Sequence, residues 1–502
     1  MNPKNPSFDP ARRQFIGSCC AAVGATGMLS TLAQLRLTGA LASPDQGPVV
    51  PTAAGALPSD YKALVCLFFA GGNDANNLLI PNDDAGYGSA AATTGYASIS
   101  GGRGALALPR SSLLGLNPKT SDGRAWALHP SLNFDLAGTN TTGLKSLFDS
   151  GKMALLANVG TLAVPTTKAQ YMARSVPLPL QLFSHNDQQV EWQSSIPDRA
   201  FTSGWGGRMA DLTDAMNSNN SISMSITLNG QNAFQVGSSP KVAQYAVSPT
   251  GAITVSGSAS PVGTGFQNIR TKAQNDLLAA QNQNLFETAF AGLTSNAISD
   301  SALVASIFAG AVPFTTAFPT TSLGQQLRTI ARLIAAAPKL GLKRQVFFAR
   351  IGGFDLHDAQ VNAGNTATGA HANIFADISR SLSSFYNATV ELGAAEQVTT
   401  FTASDFGRTF NTNGDGSDHG WGSHHFIVGG AVKGGDIYGR MPNLTRSGPD
   451  DSGSRGNWIP TTSVDEYSAT LATWFGVSPT NLSTVLPNIR RFTDSRALPA
   501  FL

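Results

Sequence analysis

"YKALVCLFFAGGNDANNLLIP", residues 61–81, is the stretch on which the reading of the fold turns. It opens with an unbroken apolar run of strand length, then closes on Gly71-Gly72 and a polar segment. A strand without polar alternation is one buried on both faces, the condition of a parallel sheet covered by helices. The same form returns in "KMALLANVG" at 152–160, "RQVFFARIGGFD" at 344–355 and "QVTTFTASDFG" at 397–407. Helical patterns precede them: "TTGLKSLFDSG", "SLGQQLRTIARLIAAAP" and "NIFADISRSLSSFYNATVELG". Strands alternating with helices predict an α/β fold around a mostly parallel central sheet.

Outward from these runs, residues 215–265 are rich in Ser, Asn, Gly and Val and read as an inserted β or irregular segment. A helical stretch over 266–340 leads back to the sheet. Residues 43–60 form a Pro/Ala/Gly linker between the leader and a domain spanning 61–502. The leader, residues 1–42, carries Arg12-Arg13 before Phe15, a small-residue apolar run, and "ALA" at 40–42 as a cleavage site. It resembles a twin-arginine export signal, which implies the twin-arginine translocase as a partner during export and a periplasmic or secreted location. Arg36 cuts its apolar run short of the ~20 residues a membrane span needs, so no stable span is expected in the mature form.

The chain is 42% hydrophobic, enough for a large core, and only 13% charged. Its net charge of +2 comes from the leader, which holds Lys4, Arg12, Arg13 and Arg36 against Asp9. Without the leader, 29 basic and 30 acidic residues remain, which leaves no electrostatic case for nucleic acid. Cys19 and Cys20 also fall in the leader, so the mature chain keeps Cys66 alone, read as a buried core thiol.

In an open α/β sheet, ligands collect beyond the carboxyl ends of the strands. This sequence puts its acids and histidines there. The first strand leads to Asp74, and "GGFDLHDAQ" presents Asp355, His357 and Asp358. "TASDFGRTFNTNGDGSDHGWGSHH" at 402–425 holds Asp405, Arg408, Asp415, Asp418, His419, His424 and His425, and "FSHNDQQ" at 183–189 holds Ser184, His185 and Asp187. Five of the seven histidines lie in these glycine- or aspartate-rich loops. Asp and His suit divalent Zn, Mn or Ca according to geometry, and with Cys66 buried a thiolate site is excluded. His424 and His425 are adjacent, so on a strand they point to opposite faces and at most one reaches a site. His129 and His371 are more isolated and read as structural. "DSA" at 300–302 has the look of a nucleophile motif, but its setting fits a helix N-cap.

"FFAGGNDANNLLIP", "LFSHNDQQVEWQ", "RIGGFDLHDAQ", the 402–425 segment and "EYSATLATWFGV" resemble the DUF1501 family of exported bacterial proteins, over most of residues 61–490. That family is similar in turn to the alkaline phosphatase and sulfatase superfamily. The resemblance implies a three-layer α/β/α sandwich with two divalent metal ions. It implies Asp74, Asp355, His357, Asp405, Asp418, His419 and His424 as candidate ligands. Ser184, His185 and Arg408 are the candidate catalytic groups: Ser184 or His185 as nucleophile near a helix N-terminus, Arg408 as the anion-binding fork. Two departures stand out. Phe406 follows Asp405 where the superfamily has histidine, and no Cys-x-Pro-x-Arg sulfatase signature is present. The expected function is an exported metal-dependent hydrolase of small or polymeric phosphate or sulfate esters. The alternative is a non-catalytic, metal-stabilised envelope or secretion protein of the same fold.

Overall fold

The computed structural model describes residues 56–493 and 498–502, apart from 121, 140, 218–221, 240, 241, 250, 254–265 and 281–283. The leader and its cleavage site lie outside the described residues.

The strands are β1 (Lys62–Phe69), β2 (Leu79–Pro81), β3 (Leu114–Leu116), β4 (Trp126–Leu128), β5 (Met153–Gly160), β6 (Ser225–Thr227), β7 (Tyr245–Ala246), β8 (Arg344–Ile351), β9 (Val398–Ser404), β10 (Ser423–Gly429), β11 (Ile437–Tyr438) and β12 (Thr462–Ser463). Nine of them form one sheet in the order β11-β5-β10-β9-β1-β8-β6-β7, with β12 beside β5. The four runs that predicted the fold are β1, β5, β8 and β9. β1 lies between β8 and β9, parallel to both. β5 runs in the same direction but is separated from β9 by β10, which pairs antiparallel with each. β10 reverses because residues 405–422 form a loop containing no helix to carry the chain across the sheet. The segment read as an insertion contributes β6 and β7, which extend the same sheet parallel to β8.

The helices used below are α1 (Leu144–Asp149), α2 (His185–Ser194), α3 (Trp205–Thr213), α4 (Phe266–Ala279), α5 (Leu285–Ala309), α6 (Ser322–Ala335), α7 (Ala370–Glu391) and α8 (Val464–Phe475). They flank the sheet on both faces, and strand alternation shows how. Phe69 turns to the α7 side, where its ring meets Phe354, which packs on Phe375. Phe401, in register with Cys66, turns the other way onto Trp205 of α3 and Tyr467 of α8. Covered on both sides, β1 is buried along seven of its eight residues. Each such large apolar side chain contributes about 1.5–3 kcal/mol. Cys66 is buried there, its thiol pushed up by burial. No helix of the described residues is long and apolar enough to cross a membrane. Asp300 lies within α5, so "DSA" is neither a helix cap nor a residue at the strand ends.

Candidate functional site

The carboxyl ends of β1, β8 and β9 meet at one point, and Gly71-Gly72 makes the approach close enough. Both residues have positive φ, +114° and +78°. A Cβ on Gly71 would stand 2.5 Å from the backbone nitrogen of Asp355, and one on Gly72 would stand 2.5 Å from the Phe406 ring. Only glycine permits these conformations at these separations.

Three imidazoles and a carboxylate converge there. Nε2 of His357 lies 3.1 Å from Asp355 Oδ1, Nε2 of His185 3.3 Å from it, and Nε2 of His419 3.6 Å from it. His357 Nε2 and His419 Nε2 are 3.0 Å apart. Ligand atoms of His185, Asp355 and His419 all fall within 4.8 Å of one another.

The opposite edge of each ring fixes its tautomer. His185 Nδ1 is 2.7 Å from Asp405 Oδ2, His357 Nδ1 is 3.1 Å from Asp418 Oδ1, and His419 Nδ1 is 2.7 Å from the Phe183 carbonyl. Carboxylate and carbonyl oxygens only accept, so each Nδ1 donates. In the neutral rings each Nε2 then carries a lone pair, and all three are turned toward Asp355. Two such nitrogens 3.0 Å apart beside a carboxylate repel unless a proton or a metal cation lies among them. His185 Nε2 is moreover buried without a hydrogen bond.

The surroundings hold this arrangement in place. Asp405 is wholly buried and also accepts from Gln189 Nε2 at 2.9 Å and from the Gly71 amide. His185 and Gln189 are one helical turn apart on α2, so one face of that helix grips one carboxylate. Phe406, which directly follows Asp405, lies under two of the rings, with centroids 4.8 Å from His185 and 4.7 Å from His419. Asp418 accepts from Asn413 Nδ2 at 2.8 Å and pairs with Arg455. Phe183 and Ala359, non-glycine residues at φ +70° and +49°, flank the cluster. Backbone strain of this kind gathers at functional sites.

The hydrogen bond to Asp405 outweighs burial and raises the pKa of His185. Burial lowers that of His419. Burial opposes the charge of Asp355, yet the Arg408 guanidinium prevails and holds its carboxyl below the usual range. Asp418 is depressed in the same way, against burial, by Arg455, His357 and Asn413.

The donor set fits a divalent ion that takes nitrogen and oxygen. Ligands about 2.0–2.2 Å from such an ion stand roughly 3–3.6 Å apart, the range of the three nitrogen–Asp355 distances and of the His357–His419 distance. The cluster brings together some of the residues expected as ligands and not others. Asp355, His357 and His419 are brought together as expected. His185, expected as a catalytic group, joins them as a fourth donor. Asp405 and Asp418, expected as ligands, face the far edges of the histidines and orient them. Asp74 stays apart: it is buried, paired with Arg103, and accepts from Gln360 Nε2 at 2.5 Å. His424 also stays apart. It is buried on β10, its Nδ1 accepts from the Asn158 amide at 3.0 Å, and burial pushes its pKa down to about 4. His425 turns to the opposite face, against Trp192 and Tyr467, as adjacent strand residues must. Among the described residues His185, Asp355, His357 and His419 form one cluster, and Asp74 and His424 lie apart from it.

The catalytic candidates are also placed differently. The Ser184 hydroxyl donates to Asp187 Oδ2 at 2.5 Å. The Arg408 side chain is fully buried. Its Nε donates to the Gly72 carbonyl at 3.0 Å, Nη1 to the Ser417 carbonyl, and Nη2 to the Gly71 carbonyl and Asp355. It ties three loops together and has no fork to offer a ligand. His129 and His371 are buried and packed ring to ring, as structural histidines are. Gln189 was missed, although the i, i+4 spacing of His185 and Gln189 is a signal the sequence carries, and Phe406 was noted only as a departure beside Asp405. Arg455 had no local signal.

The family model described as "Protein of unknown function (DUF1501)" matches residues 61–452. The chain belongs to the DUF1501 family. No curated protein matches it. Among solved structures, one similar chain is described as "Crystal structure of Ps i-CgsB in complex with k-i-k-neocarrahexaose". It is 10% identical, with a TM-score of 0.34 over 84% of this chain and 74% of that one. At that score the likeness carries no argument for this DUF1501 protein.

Proposed function

We propose that this DUF1501 protein holds one divalent metal ion between His185, His357, His419 and Asp355, and that it is an exported hydrolase of phosphate or sulfate esters. The observation that carries the reading is the convergence of three Nε2 lone pairs on Asp355, with every Nδ1 proton committed elsewhere. One ion is proposed rather than the two implied by the superfamily resemblance, because Asp74 is already neutralised by Arg103. The three-layer alkaline-phosphatase-like sandwich belongs to the same reading, supported by the mostly parallel sheet with helices on both faces.

An ion held there supplies Lewis acidity and lowers the pKa of water. The chain's own residues do the rest. Asp405, Asp418 and the Phe183 carbonyl hold the three ring protons on Nδ1, so the Nε2 atoms stay available. Arg408 spreads the charge of Asp355 while tying the Gly71 and Ser417 loops to it. Phe406 excludes water from beneath His185 and His419. The export reading rests on Arg12-Arg13 and "ALA" at 40–42.

The second reading, a non-catalytic metal-stabilised protein, is favoured by one observation: two of the three residues expected to attack or bind the ester, Ser184 and Arg408, are engaged with Asp187 and with backbone carbonyls. Elemental analysis of the purified protein, followed by turnover of an aryl phosphate and an aryl sulfate, separates the cases. Metal with turnover supports the hydrolase, metal without turnover supports the second reading, and a protein that takes up no metal rules out both.

A further inference from the structure

We propose that Arg455 receives an anionic group of the ligand at the mouth of the His–Asp cluster, so that the ligand of this site is an anion. The inference rests on the metal reading above.

Among the described residues, Arg103, Arg408 and Arg455 each pair with an aspartate of this region, and the first two are spent. Arg103 is fully buried and paired with Asp74, and it donates to the Thr409 and Phe410 carbonyls at 2.8 Å. Arg408 is fully buried on three carbonyls and Asp355. Arg455 differs from both. Its side chain is 41% exposed, and one of its nitrogens, Nη1, pairs with Asp418 Oδ2. The other oxygen of that carboxylate faces His357 Nδ1. Arg455 is therefore a single carboxylate and a single imidazole away from the converging Nε2 atoms. A guanidinium carries five N–H groups in a planar fork, so most of its donors remain for a ligand.

The loop that bears it is built to be rigid. Asp451 is wholly buried, and its carboxylate accepts the amides of Ser447 at 2.8 Å and of Gly453, Gly456 and Asn457 at 3.0 Å. Two of these residues directly follow Arg455. The Arg455 carbonyl in turn accepts the Asn411 amide at 2.9 Å, which pins the loop to the segment after β9. An exposed arginine on a loop ordered by a buried carboxylate has lost its backbone freedom before any ligand arrives, which lowers the entropic cost of binding.

Charge points the same way. The groups bonded together in the cluster are Asp355, Asp405 and Asp418 against Arg408 and Arg455. With neutral imidazoles that set carries one net negative charge, and a divalent ion makes it one net positive charge. The ion reverses the sign of the site, and of the two arginines in this bonded set Arg455 is the one whose side chain is partly exposed.

The test uses inorganic phosphate as the probe. The full-length protein is compared, loaded with zinc, as wild type, Arg455→Lys and Arg455→Gln. Phosphate affinity is read by calorimetry and metal content by mass spectrometry. The inference expects wild type to bind phosphate, Arg455→Gln to bind it about 10-fold or more weakly with unchanged metal, and Arg455→Lys to fall between them, since it keeps the charge and loses the fork. Equal binding by wild type and Arg455→Gln overturns it, as does a metal-loaded wild type that binds no phosphate. Loss of metal in Arg455→Gln in step with phosphate also overturns it, because Arg455 would then act only by positioning Asp418 and His357. A wild type that takes up no zinc overturns the metal reading itself, and this inference with it.

Discussion

Asp74 and Asp355 occupy matching places. Each follows a Gly-Gly at the carboxyl end of one of two adjacent parallel strands, β1 and β8. They have opposite fates. Asp74 is 2% exposed, and Arg103, Gln360 and Asn76 consume its oxygens. The Asp355 side chain is 49% exposed, and three imidazole nitrogens face one of its oxygens. A carboxylate at a strand end becomes a ligand only if the fold leaves its charge unanswered. At Asp74 a buried guanidinium answers it, and at Asp355 Arg408 answers it in part.

Asp355→Asn should abolish stoichiometric metal binding while the sheet stays folded; a variant that keeps one equivalent by mass spectrometry would show that Asp355 is no ligand. Asp74→Ala should do the reverse. It should keep its metal and lose about 3–5 kcal/mol of stability to denaturant, because Arg103 is left buried and unpaired. Metal loss in Asp74→Ala without destabilisation would show that the two aspartates share one role.

A third carboxylate extends the comparison to a group whose charge is hardly answered at all. Asp465 is fully buried on α8, and burial pushes its pKa up to about 7 against the opposing pull of Ser195 and Arg208. The unfolded chain gives up this proton near pH 4, whereas the folded chain keeps it until near 7. Stability contributed by the protonated form is therefore present at acid pH and lost as pH rises from about 4 to about 7, by up to about 4 kcal/mol. Glu191, also pushed to about 7 by burial, acts in the same direction. Asp465→Asn should flatten part of this slope in urea titrations across that range. An unchanged slope would mean the carboxyl ionises in place.

Smaller effects sharpen the roles of the orienting carboxylates. Asp405→Ala and Asp418→Ala should each weaken metal binding by about 10–100-fold, the usual cost of losing a partner behind a ligating histidine. Abolition, as in Asp355→Asn, would return them to the ligand set. His424→Gln should change metal affinity least, by less than about 3-fold given its place outside the cluster; a larger loss would tie β10 to the site.

Much of the frame was legible without coordinates. β1, β5, β8 and β9 are buried along most of their length because both faces of the sheet are covered, and the apolar runs that mark β1 and β5 most clearly are a local property. The opposite directions of His424 and His425 followed from strand periodicity alone. The antiparallel sense of β10 did not, because it depends on how an 18-residue loop returns, and an apolar strand reads the same in either direction.

The sequence by itself determined that aspartates and histidines would gather at the strand ends, since their place follows from where apolar runs stop and glycines begin. Only the tertiary structure decided what each one does. Asp74 is held away from the cluster by Arg103, 29 residues away, and by Gln360, 286 residues away. His185 turns its Nε2 toward Asp355 because Asp405, 220 residues on, accepts the hydrogen bond from its Nδ1–H. Ligation depends on which edge of a ring meets which oxygen to within a few tenths of an ångström. Contacts that fine are made between segments far apart in the chain, where no local pattern records them.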